Sequence, residues 1–138
     1  MLAQEINRPN SKIEITLRNN VKQNFISKFF ANGEEKTTIT FDSESKSILI
    51  QMSKNNDPVL IPFKDIQKLV IHQHKKNEQS DFRVALILKT APKYLALYAF
   101  GNPHFGKTLF EELETKIFGT KEPTKVYTDA ALQQAFNL

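Results

Sequence analysis

The chain contains no cysteine and no tryptophan, and its four glycines are scattered at 33, 101, 106 and 119. Without cysteine there is no disulfide, no thiol nucleophile and no thiolate metal site. The glycine placement leaves no G-x-S-x-G nucleophile elbow. Long apolar segments are missing too: Ile48–Ile50, Val59–Ile61 and Val84–Leu88 are short, whereas a spanning helix needs about 20 apolar residues. Leu2-Ala3 is followed at once by Gln4, Glu5 and Asn7, which is not the start of a signal peptide. A soluble cytoplasmic protein is the expectation from these absences.

What is present is ordinary for a globular chain: 138 residues, 40% of them apolar and 25% charged, with eleven phenylalanines to fill a core. Length allows one domain and hardly two. The net charge of +4 is concentrated between residues 59 and 100, which hold seven basic and three acidic groups. Dedicated nucleic-acid domains gather basic residues on one face more heavily, so no nucleic-acid partner is expected.

Hydrophobic periodicity reads mostly as strands. Residues 1–11 are expected as a loose, flexible polar arm, 12–119 as a single domain, and 120–138 as a polar tail in which Ala130–Phe136 can form a frayed helical turn or two. Ile13, Ile15 and Leu17 alternate with polar neighbours before an expected turn at Asn19-Asn20. Val21–Ala31 fits either an amphipathic helix or a strand pairing Asn24–Ala31 with Glu35–Phe41. Strands follow around Ile39, Ile48–Met52, Val59–Pro62, Gln67–Lys76, Asp81–Thr90 and Lys93–Phe100, with a polar loop at 75–81. Short strands every 8–12 residues predict an antiparallel meander. A helix over 103–118 then begins with Asn102-Pro103, carries Phe105, Leu109, Leu113 and Ile117 on one stripe, and ends at Gly119.

Thr37–Asp42, Ile61-Pro62-Phe63-Lys64-Asp65-Ile66 leading into Leu69-Val70-Ile71, Arg83–Leu88, Leu95–Tyr98 and the helix after them carry a family resemblance over about residues 36–119. In this run the chain resembles bacterial pleckstrin-homology-like (PH-like) domains. The resemblance implies a mainly β (α+β) fold: an antiparallel half-barrel or two-sheet sandwich capped by one C-terminal amphipathic helix, about 103–118. Many relatives carry a membrane hairpin where this chain has Val21–Glu35, a segment too short and too charged to span a bilayer. The turn Asp42–Lys46 holds two acids and one lysine, unlike the basic loop with which phosphoinositide-binding relatives take a phosphate.

Several constellations carry candidate chemistry. His72 and His74 stand at i, i+2 on one strand face, ~6.6 Å apart along the chain. They are weak metal-ligand candidates, needing a third ligand from His104, Asp81 or Glu78. The simpler reading is two solvent-facing histidines. Gly101–Thr108 (GNPHFGKT) meets the register of a phosphate-binding loop, but Pro103 removes an amide and no βαβ unit follows. Glu111, Glu112 and Glu114 read as a solvated helix face, and Tyr94, Tyr98 and Phe100 with Lys89 and Lys93 as core or a base-stacking stripe. Lys22, Phe25, Lys28, Phe29 and Phe30 form the principal lipid- or partner-binding candidate.

The expected function is non-catalytic, with no cofactor: a scaffold or adaptor engaging a protein partner through a sheet edge or the groove beside the helix. The alternatives are peripheral attachment to anionic lipid of the inner membrane through Lys22–Phe30, and nucleotide binding at 101–108.

Overall fold

The structure is a computed structural model and describes residues 2–20, 34–52, 57–100, 103–120, 122–123 and 125–138. Among these residues the fold is mainly β, with two sheets and two C-terminal helices. The chain forms two compact units, Met1–Ile61 and Pro62–Leu138, where the length alone favours one domain over 12–119.

The first sheet runs in the order β1 (Leu2–Asn7), β2 (Lys12–Asn20), β3 (Glu34–Asp42), β4 (Ser47–Met52) and β5 (Val59–Pro62). Its register places Ile15 beside Ile39 and Ile39 beside Ile50, while Ile13, Phe41 and Ile48 form the next row. All six are buried. Period-two alternation therefore puts every branched and aromatic residue of these rows on one face.

Two local expectations are corrected here. The arm 1–11 is mostly strand, with Ile6 opposite Ile15 and a tight return in which Asn10 takes a φ of 49°. β2 continues through the expected turn at Asn19-Asn20, pairing Asn20 with Glu34. Because β3 is flanked by β2 and β4, Thr37–Phe41 have no edge left for a strand from 24–31. Residues 21–33 themselves lie outside the described residues.

The Asp42 carboxylate organises the β3–β4 turn. Its Oδ1 accepts the N–H of Glu44 at 2.9 Å and of Ser45 at 3.4 Å, and the Ser11 hydroxyl at 3.3 Å. Desolvation pushes this carboxyl up, but the Glu44 N–H, the Ser45 hydroxyl and N–H and the charge of Lys12 outweigh it and hold it below its ordinary 3.8. A depressed acid stabilises the fold fully above its unfolded-state value, and that stability is lost as pH falls through the lowered value. The melting-temperature gap between the wild type and Asp42→Ala should therefore be constant above about pH 5 and narrow as pH falls through the lowered value. Thermal melts across that range check it; a gap independent of pH would rule this role out.

The second sheet has the order β8 (Tyr94–Phe100), β7 (Gln79–Leu88), β6 (Ile66–Lys76) and β9 (Val126–Thr128). A single 3-10 turn, Phe63–Asp65, leads into β6 and anchors Lys89 N–H on the Asp65 carbonyl. The expected polar loop at 75–81 shrinks to a two-residue turn, since β6 and β7 pair as far as Lys76 with Gln79. Asn77 supplies the left-handed residue that this turn requires, with φ 58°.

Helix α1 (Pro103–Phe118) lies against β7 and β8, burying Leu109, Phe110, Leu113 and Ile117. It ends where the sequence places its cap: Gly119 adopts φ 77° and donates to the Thr115 carbonyl at 2.7 Å. The solvated reading of Glu114 is corrected. It is buried, and its carboxylate accepts the Glu122 N–H at 3.0 Å, fixing the chain as it leaves the helix.

Residues 126–136 are not a loose tail. β9 joins β6 in parallel, pairing Ile71 with Val126 and Gln73 with Thr128, and helix α2 (Asp129–Phe136) follows at once. Thr128 caps that helix by accepting the Ala131 N–H. Tyr127 and Leu132 pack on Val70, Ala85 and Ile87, a cluster joined by Tyr94, Ala131 and Phe136. The short spacing of Tyr127, Ala131, Leu132 and Phe136 hides this amphipathic face in a polar stretch.

Candidate functional site

The most developed polar constellation sits on the sheet face that β9 and α2 cover. Alternation along β6 puts Val70, His72 and His74 on one face, and the register sets Arg83 beside His72 and Asp81 beside His74. Tyr94, at the start of β8, reaches the same group from across β7. Asp129 arrives from the first turn of α2, delivered by the β6–β9 pairing.

Hydrogen bonds join these six side chains into two neighbouring sets, Arg83 with Asp81 and Tyr94 with His72, Asp129 and His74. Arg83 grips Asp81 through Nε at 2.9 Å and Nη2 at 3.3 Å, and its cation acts on the Tyr94 hydroxyl. Tyr94 Oη lies 2.7 Å from His72 Nδ1, and His72 Nε2 lies 2.6 Å from Asp129 Oδ1. An ionised carboxylate can only accept, so Nε2–H donates to Asp129, and a neutral His72 accepts the Tyr94 proton at Nδ1. Asp129 Oδ1 also accepts from His74 Nδ1 at 3.3 Å, while Oδ2 accepts the Lys75 N–H at 3.3 Å.

The electrostatics follow from these contacts. The His72 hydrogen bond, helped by Lys75 N–H and His74, holds the Asp129 carboxyl below its ordinary value despite some desolvation. Asp81 raises Arg83 further above its usual range. Burial pushes the Tyr94 hydroxyl up, against the nearby Arg83 cation. His72 is 6% exposed, so the reading of two solvent-facing histidines is corrected for it; His74 keeps a third of its side chain in solvent. One ligand atom from each of His72, His74 and Asp129 lies within 4.8 Å of the others.

The third partner of the histidines is thus neither Asp81, which is engaged by Arg83, nor Glu78 in the exposed turn. Asp129 went unread because it is 57 residues from His72, and only Thr128-Asp129 as a helix start signals it. Tyr94 is committed to this network and Tyr98 is buried, so the two tyrosines do not offer a pair of open stacking faces. In the register Gly101–Thr108, residues 103–108 are turns of α1, and the preceding β8 is antiparallel to its neighbour; a wrapped phosphate loop would need these residues outside the helix. Lys22, Phe25, Lys28, Phe29 and Phe30 lie outside the described residues.

A second surface stands out on the first sheet. Among the described residues β5 is its outermost strand, and Val59 and Leu60 are 50% and 61% exposed. Met52, at the end of the neighbouring β4, adds a third exposed apolar side chain. Comparison with family models, curated proteins and solved structures returns no match for this chain. No helix among the described residues is long and apolar enough to cross a membrane.

Proposed function

We propose that this chain is a non-catalytic binding module of the PH-like type that holds a protein partner at the outer edge of β5. The observation that carries the reading is the pair Val59-Leu60, exposed on successive positions of an outermost strand. Successive strand residues point to opposite faces, so an added segment meets an apolar side chain on each side. Such edges recruit extended peptides through backbone bonds, with side-chain contacts choosing among them. Pro58 and Pro62 bracket the edge and donate no amide, limiting the added ladder to about three residues. Apolar contact therefore supplies most of the selectivity, and the fitting partner segment is short, extended and apolar at alternate positions.

Peptides selected from a displayed random library on the immobilised chain test this directly. The selected sequences should alternate apolar residues and lose at least about tenfold in affinity for the Val59→Asp/Leu60→Asp variant, the scale of a single lost apolar anchor. Neither side chain is buried, so the variant should keep the wild-type circular dichroism and melting temperature. Selection of no such peptides, or equal binding to the folded variant, would reject the edge as the binding surface.

A further inference from the structure

We propose that His72, His74 and Asp129 form a binding site for one divalent transition-metal ion, zinc being the best match to its donors. This inference stands on the second sheet and is independent of the β5 edge. Two imidazole nitrogens and one carboxylate oxygen converge from three places that only the fold brings together: two alternate positions of β6 and the first turn of α2. That N2O set suits a borderline ion such as Zn²⁺ and is too poor in oxygen for calcium or magnesium.

The surroundings are those of metal ligands rather than of a bare ion pair. A ligating histidine needs its second ring nitrogen fixed, and Tyr94 Oη holds His72 Nδ1 at 2.7 Å, turning Nε2 inward. The Tyr94 hydroxyl can donate or accept, so it serves both tautomers of neutral His72: with the ion on Nε2, the ring's one proton sits on Nδ1 and is donated to Tyr94 Oη. A ligating carboxylate is held on its other oxygen, here by the Lys75 N–H on Asp129 Oδ2. Arg83, itself bound by Asp81, places its cation near the Tyr94 hydroxyl behind the first ligand.

The three ligand atoms lie within 4.8 Å of one another, so the two imidazoles must close by up to about 1.5 Å to reach the ~3.3 Å separation of a tetrahedral set. His74 Nδ1 and Asp129 Oδ1 are 3.3 Å apart, the separation of two ligands on a tetrahedral ion at ~2.0 Å. His72 Nε2 and the same oxygen, at 2.6 Å, must part by about 0.7 Å to admit the ion. Asp129 is on the outer side of the cluster with 44% of its side chain exposed, and His74 is 33% exposed. The site thus has a buried floor at His72 and a solvent side. Three protein ligands leave the fourth position to water or to a small anionic ligand, as in open zinc sites.

The test is calorimetric titration of ZnCl₂ into the untagged full chain after chelator treatment. One zinc should bind per chain, and His74→Ala should weaken it by at least about 100-fold, beyond the ~10–100-fold loss expected for Tyr94→Phe. His74 is chosen because its partial exposure leaves the fold intact. The visible spectrum of the CoCl₂-loaded wild type gives a readout that needs no variant. Intense tetrahedral bands agree with three protein ligands and one open position. No zinc uptake, uptake unchanged in folded His74→Ala, or only a weak octahedral cobalt spectrum would each overturn the site.

Discussion

Tyr127→Ala should cost about 3–5 kcal/mol of stability, the range for deleting a buried aromatic side chain. The Tyr127 ring is 8% exposed, packs against Phe136 with centroids 5.5 Å apart, and carries Lys125 Nζ 5.0 Å above its face. It also joins Leu132 to Val70, Ala85 and Ile87. Its loss opens a cavity between β6 and α2 and loosens the three-residue strand that delivers Asp129. Two effects should therefore appear together: a lower urea midpoint and loss of the Asp129 bonds to His72 and His74. Tyr127→Phe keeps the ring contacts and should lose far less. Equal midpoints for the wild type and the alanine variant would mean that β9 and α2 contribute nothing to the stability of the sheet they cover.

In the first unit the largest effect belongs to Phe41. It is fully buried, and its row neighbours Ile13 and Ile48 are buried beside it on β2 and β4. Phe41→Ala should also cost about 3–5 kcal/mol, because a central strand held on both sides cannot collapse to fill the space. Amide hydrogen exchange separates this from the Tyr127 effect. Faster exchange should appear first in β2, β3 and β4, which share the Ile13–Phe41–Ile48 row. Unchanged protection there would show that the row is not where this sheet's stability resides.

How far the sequence could be read depended on how local each cause was. The alternation of Ile13, Ile15 and Leu17, of Ile39 and Phe41, and of Ile48 and Ile50 is written within single strands, and those strands form as the pattern implies. Helix α1 carries its own punctuation in Pro103 and Gly119. Pro62, which donates no amide to a ladder, suits the outermost position that Val59–Pro62 takes. What could not be read was non-local. Glu114 looks like any exposed helix acid until the chain returns with Glu122 N–H above it. Asn19-Asn20 looks like a turn until the length of β3 extends β2 through it. His72 and His74 were visible as a pair, but their partner depends on a parallel pairing that three residues of β9 establish far downstream. A three-residue strand has too few positions to show a period.

The parallel seating of β9 on β6 also bears on the order in which the chain can fold as it is made. Strands β6, β7 and β8 are local hairpin partners and can associate once residue 100 has been synthesised. Their Val70–Ala85–Ile87 face then waits for Tyr127 and Leu132, which come from elements translated after β8 and α1. Closing that gap brings together residues 57 apart, a long loop whose entropy is lost before any contact repays it. Nascent chains stalled after β8 should accordingly display an uncovered apolar sheet face, the kind of surface on which chaperones act and aggregates start. Arrival of β9 and α2, which brings Asp129 to His72, covers that face.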